Sequence, residues 1–94
     1  MTEELTTVGV RVKGRVQGVG FRAWTRGEAE RRGLAGYVRN EADGSVSAVI
    51  TGPADAVSGM LERLWQGPPG AAVSAVEATA EAPAVMAKGF RIVR

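Results

Sequence analysis

Two stretches with helical apolar spacing are each set between runs that alternate. That order restricts the fold more than any other feature of these 94 residues. Thr7 to Lys13 alternates valine with glycine or charge, as a half-buried strand does. From Phe21 to about Arg32, the residues Phe21, Thr25 and Ala29 recur at i+4 while most charges fall elsewhere. This predicts an amphipathic helix stopped by Gly33, with Gly27 inside it costing about 1 kcal/mol relative to alanine. Tyr37 to Asn40 and Ser45 to Thr51 read as short strands joined through Glu41-Ala42-Asp43-Gly44, where Asp-Gly signals a hairpin. Gly52-Pro53 punctuates, with Pro53 expected in the first turn of a second helix. There Val57, Met60, Leu61 and Leu64 make an i, i+3, i+4, i+7 stripe suited to covering a sheet. Gly67-Pro68-Pro69-Gly70 ends that helix; Val73 to Ala82 reads as a fourth strand, Pro83 to Lys88 as a loop, and Phe90 to Val93 as a short terminal strand.

The order β-α-β-β-α-β with a short final strand is the ferredoxin-like split βαβ arrangement. It is an α+β sandwich with two helices on one face of an antiparallel sheet and right-handed crossovers. The first and second strands then run the same way with the third between them. The loop after the first and the end of the second share one sheet edge, about 10 Å apart. Asn40, at the end of the second strand, is thereby brought near that loop. Phe21, Trp24, Met60, Leu61, Leu64 and Phe90 are expected in or at the edge of the core, and Trp65 partly exposed. Glu28, Glu30, Glu62 and Asp43 show no paired-carboxylate spacing and are read as solvated surface.

Composition narrows the chemistry. Apolar residues at 45% and charged ones at 23% are those of a globular chain, and residues 1–94 are expected to form one domain. No run of about 18 apolar residues is present, and Met1-Thr2-Glu3-Glu4 lacks the layout of a secretion signal. A cytoplasmic chain with no membrane partner is expected. The chain has neither cysteine nor histidine. Disulfides, thiolate nucleophiles, a phosphohistidine, a Ser-His-Asp triad and the commonest zinc ligands are all excluded. A net charge of +2, with lysine and arginine scattered, argues against nucleic acid as a partner.

What remains as a chemical site is Gly14-Arg15-Val16-Gln17-Gly18-Val19-Gly20-Phe21-Arg22. Three glycines between a strand and a helix N-terminus can turn several backbone N–H groups toward one point, and an arginine lies beside it. Such a point favours an anion such as phosphate. No Gly-Lys-Ser/Thr follows, so this is not a nucleotide P-loop.

This run resembles the signature of the acylphosphatases. Gly36-Tyr37-Val38-Arg39-Asn40, Asp43-Gly44-Ser45-Val46 and Gly52-Pro53 match the same family in order and spacing, so the resemblance covers nearly the whole chain. It implies a single acylphosphatase-like domain that uses no metal or cofactor and hydrolyses the carboxyl–phosphate bond of small acyl phosphates. The products are a carboxylate and phosphate. Carried over by motif position, Arg22 binds the phosphoryl group, Asn40 orients the attacking water, and amides of Arg15, Val16, Gln17, Gly18, Val19 and Gly20 hold phosphate oxygens. Arg15 is open to a second reading, in which it orders the loop without touching substrate. The chain departs from the family at Tyr37, where tryptophan is common, at Glu41, and in ending Val93-Arg94 where many members end in an aromatic. None of these is expected to touch the chemistry.

A carboxylate leaving group, with a conjugate-acid pKa of about 4, departs without a general acid, so the missing histidine is no obstacle. The competing reading is a non-catalytic anion- or effector-binding module on the same fold. An RNA-binding module of similar element order would need exposed aromatics on its central strands, and Thr7 to Lys13 has none. A monomer is expected.

Overall fold

A computed structural model describes residues 5–81 and 88–94. The element order is β1 (Leu5–Arg15), α1 (Phe21–Arg31), β2 (Ala35–Asn40), β3 (Val46–Pro53), α2 (Ala54–Leu64), β4 (Ala72–Ala80) and β5 (Phe90–Val93). Each element falls where the periodicities predicted it, within a residue or two. Ala82 and most of the predicted Pro83 to Lys88 loop lie outside the described residues.

The sheet order is β4-β1-β3-β2-β5. β3 pairs antiparallel with both β1 and β2, so β1 and β2 run the same way. Alternation decides which side of each strand faces the helices. Val8, Val10 and Val12 of β1, Val46, Ala48 and Ile50 of β3, and Val38 of β2 are buried on that side. Beneath them α1 lies on β2 and β5, while α2 lies on β1, β3 and β4. α1 contributes Phe21, Thr25 and Ala29, and α2 contributes Val57, Met60 and Leu64. Each large apolar side chain so buried stabilises the fold by about 1.5–3 kcal/mol. Trp24 and Leu61 sit at the core edge, and Trp65 is exposed.

Three expectations are corrected. The sheet is mixed, because β5 pairs parallel with β2. β4 ends beside Val8, at the edge where β1 begins, and β5 starts beside Gly36, where β2 begins. A strand entering at that edge next to β2 can only run with it. Pro53 is the last residue of β3 and caps α2 instead of lying inside its first turn. Its ψ of 143° is extended, which keeps it in the ladder opposite Leu5.

The third correction is Glu28, which is only 3% exposed. Its carboxylate accepts from Arg31 and Arg63 and lies 3.7 Å from Arg32, tying α1 to α2. Arg63 also sits 5.5 Å above the Trp24 ring. Glu28 falls seven residues after Phe21, on the inward stripe of α1, and the arginines make its burial tolerable. Glu28→Gln is expected to cost about 1–2 kcal/mol, moderated by the arginines' partial exposure, and to lower the melting temperature accordingly.

Candidate active site

β1, β2 and β5 all end at one edge of the sheet, and the loop 16–20 crosses that edge before α1 begins. The ladder slips between Lys13 and Gly14, a bulge that bends the strand as it enters the loop. Val16 is buried and anchors the loop in the core, and Val19 packs against the core. Gly18 and Gly20 both adopt φ 76°, a left-handed conformation that turns backbone N–H groups to one side. Gly20 is the N-cap of α1, with no side-chain cap and no acidic residue in the first turn. The leading amides of α1 are therefore left to whatever occupies the space in front of them, and the helix dipole favours an anion there.

That space is a cleft of about 280 Å³. Val16, Gln17, Gly18 and Gly20 line it from the loop, Arg22 from α1, and Asn40 from the end of β2. Asn40 shares the parity of buried Val38, which carries it to the helix side of the sheet. Arg15 is exposed and does not line the cleft; nor does Val19. Arg22 has no carboxylate partner among the described residues.

The loop and the Asn40 hairpin are held together by Gln17. Its side-chain amide donates to the carbonyl oxygens of Glu41, at 2.8 Å, and Ser45, at 2.9 Å. The sequence reading assigned Gln17 only a main-chain role, so this bridge is an addition to it. The hairpin is closed by the Glu41 N–H donating to the Ser45 carbonyl at 2.8 Å. Asp43 accepts from both the N–H and the hydroxyl of Ser45, which hold its carboxyl below the usual range.

The Glu41 side chain points to the other face of the sheet. There it accepts from the Ser47 hydroxyl and from Arg39, and these contacts lower its pKa. Its charge is thus engaged away from the cleft, and among the described residues no carboxylate side chain lines it. Ile92 and Arg94 line the cleft from the β5 side, which the sequence reading did not foresee. The register pairing Arg39 with Val93 brings them there.

The fold and cleft define a class: a ferredoxin-like α+β sandwich with a glycine-loop cleft, lined by Arg22 and Asn40, at the head of its first helix. Its relatives agree. A model of the acylphosphatase family matches residues 8–92. An acylphosphatase of Rhizobium meliloti (strain 1021) is 58% identical over 98 aligned positions, covering 100% of this chain and 99% of its own. An acylphosphatase structure from Coxiella burnetii superposes with a TM-score of 0.91 at 39% identity, over 95% of this chain and 93% of that one. One from Bacillus subtilis gives 0.91 at 36% identity, over 97% and 100%. The chain is an enzyme of the acylphosphatase family.

Proposed function

We propose that the cleft hydrolyses acyl phosphates to a carboxylate and inorganic phosphate without a metal ion. The observation carrying this reading is that Arg22 and Asn40 face one cleft whose remaining wall is a glycine-rich loop. In it, the phosphoryl group sits on the loop amides and the head of α1, with the Arg22 guanidinium on its oxygens. Fixed donors aimed at a dianion stabilise the charge that spreads over those oxygens in a loose transition state. The Asn40 amide both accepts and donates, so it can hold a water in line with the breaking bond. The water oxygen bonds to phosphorus as the bond to the acyl oxygen breaks. The acyl group leaves as a carboxylate, and the water's proton passes to a phosphate oxygen. No protein base is used.

Hydrolysis of benzoyl phosphate is expected to proceed unchanged with excess chelator and to be inhibited competitively by inorganic phosphate. Phosphate binding with no hydrolysis would favour the non-catalytic anion-binding module instead. Activity lost to the chelator and restored by a divalent cation would rule out the metal-free route. The reading keeps the expectation of a cytoplasmic monomer, and sedimentation in solution tests the monomer.

A further inference from the structure

Asn40 borders the cleft without a side-chain anchor. Among the described residues no hydrogen bond holds its amide, so its place is set by the backbone on either side. On one side is the ladder, where Asn40 pairs with Val46 of β3. On the other is Glu41, fixed through both of its main-chain groups. Its N–H donates to the Ser45 carbonyl at 2.8 Å, and its carbonyl accepts from the Gln17 side chain at 2.8 Å. The same Gln17 nitrogen donates to the Ser45 carbonyl at 2.9 Å, so two hairpin carbonyls converge on one atom. Among neutral side chains only a primary amide carries two N–H donors on one nitrogen. These two bonds are the only hydrogen bonds between residues 16–20 and the hairpin 41–45 among the described residues.

We propose that Gln17 is a positioning residue for hydrolysis. Its side chain sets the spacing between the loop amides that hold the phosphoryl group and the Asn40 amide that holds the water. This inference rests on the hydrolase reading above. Gln17 acts through Asn40, and its side chain needs no contact with substrate. In-line attack tolerates little error in that spacing: a displacement of about 1 Å costs up to about a hundredfold in rate. The ladder still holds Asn40 on its other side, so the loss expected here is smaller.

Gln17→Leu keeps the bulk of the side chain and removes both donors. It is expected to lower kcat for benzoyl phosphate about tenfold. Inhibition by inorganic phosphate should change by less than about twofold, since the loop amides and Arg22 remain. In an Asn40→Ala background no amide is left to position, and Gln17→Leu is expected to lower kcat by less than about twofold. Gln17→Asn, one methylene shorter and unable to reach both carbonyls, should behave alike, and replaces the leucine variant if that one does not fold. The inference is overturned if kcat is unchanged, or if phosphate inhibition weakens in step with kcat, because the side chain then serves the cradle. It is equally overturned if the full loss persists in the Asn40→Ala background. Should the wild-type chain hydrolyse no acyl phosphate, the hydrolase reading fails, and amide hydrogen exchange decides the bridge by itself. Exchange of the Glu41 N–H about three- to tenfold faster in Gln17→Leu supports it, and an unchanged rate refutes it.

Discussion

Arg22→Ala is expected to reduce kcat/KM for benzoyl phosphate by about two to four orders of magnitude, and to weaken inhibition by phosphate at the same time. Arg22 lines the cleft and has no carboxylate partner among the described residues, so no ion pair competes with an anion for its guanidinium. Arg22→Lys restores little, because one ammonium cannot reproduce two parallel N–H donors. Asn40→Ala is expected to act differently. It removes the amide that holds water, so kcat falls by about two to three orders while phosphate inhibition stays near that of the wild type. Steady-state kinetics with phosphate as competitor separates the two. If Arg22→Ala bound phosphate as well as the parent chain, the assignment of its guanidinium to the phosphoryl group would be wrong.

The second large effect concerns stability. Gly36→Ala is expected to cost about 3 kcal/mol or more and to lower the melting temperature by roughly 12 °C or more. Gly36 lies in β2 between Ile50 of β3 and Phe90 of β5, with φ 142°. A Cβ there would run into the backbone carbonyl of Val49, and backbone in the middle of a sheet cannot step aside. Pushing β2 from β3 would also displace Asn40, four residues further along, so activity should fall with stability. Gly44→Ala is the control. Its φ of 92° is also positive, but a Cβ there meets nothing within 4 Å. It should therefore cost only about 1 kcal/mol. Equal melting temperatures for the two variants would show that the clash is not the cause.

Gly36 also illustrates how the sequence and the structure divide the explanation. Its place in Gly36-Tyr37-Val38-Arg39-Asn40 was readable from the resemblance, but the approaching carbonyl belongs to Val49, thirteen residues away across the sheet. Glu28 shows the same limit. Its position seven residues after Phe21 was a signal of inward placement, yet a carboxylate reads as surface until a partner is known. Arg63, from the other helix, is one that no local pattern announces. Gln17 reads as one more loop amide until the hairpin carbonyls of Glu41 and Ser45 are placed beside it.

The sequence by itself determined the strands, the helices and their order, because alternation and i, i+4 spacing record which side of each element meets the core. It also excluded thiolate and imidazole chemistry, since cysteine and histidine are absent, and left arginine, amides, carboxylates, hydroxyls and lysine. From the position of Asn40 at the end of β2, it further placed that amide at the edge shared with the glycine loop. Only the tertiary structure decided the parallel pairing of β5, the burial of Glu28 among three arginines, and the entry of Ile92 and Arg94 into the cleft. Each of these depends on groups far apart in the chain. Local periodicity carries no information about such neighbours until the sheet closes around them.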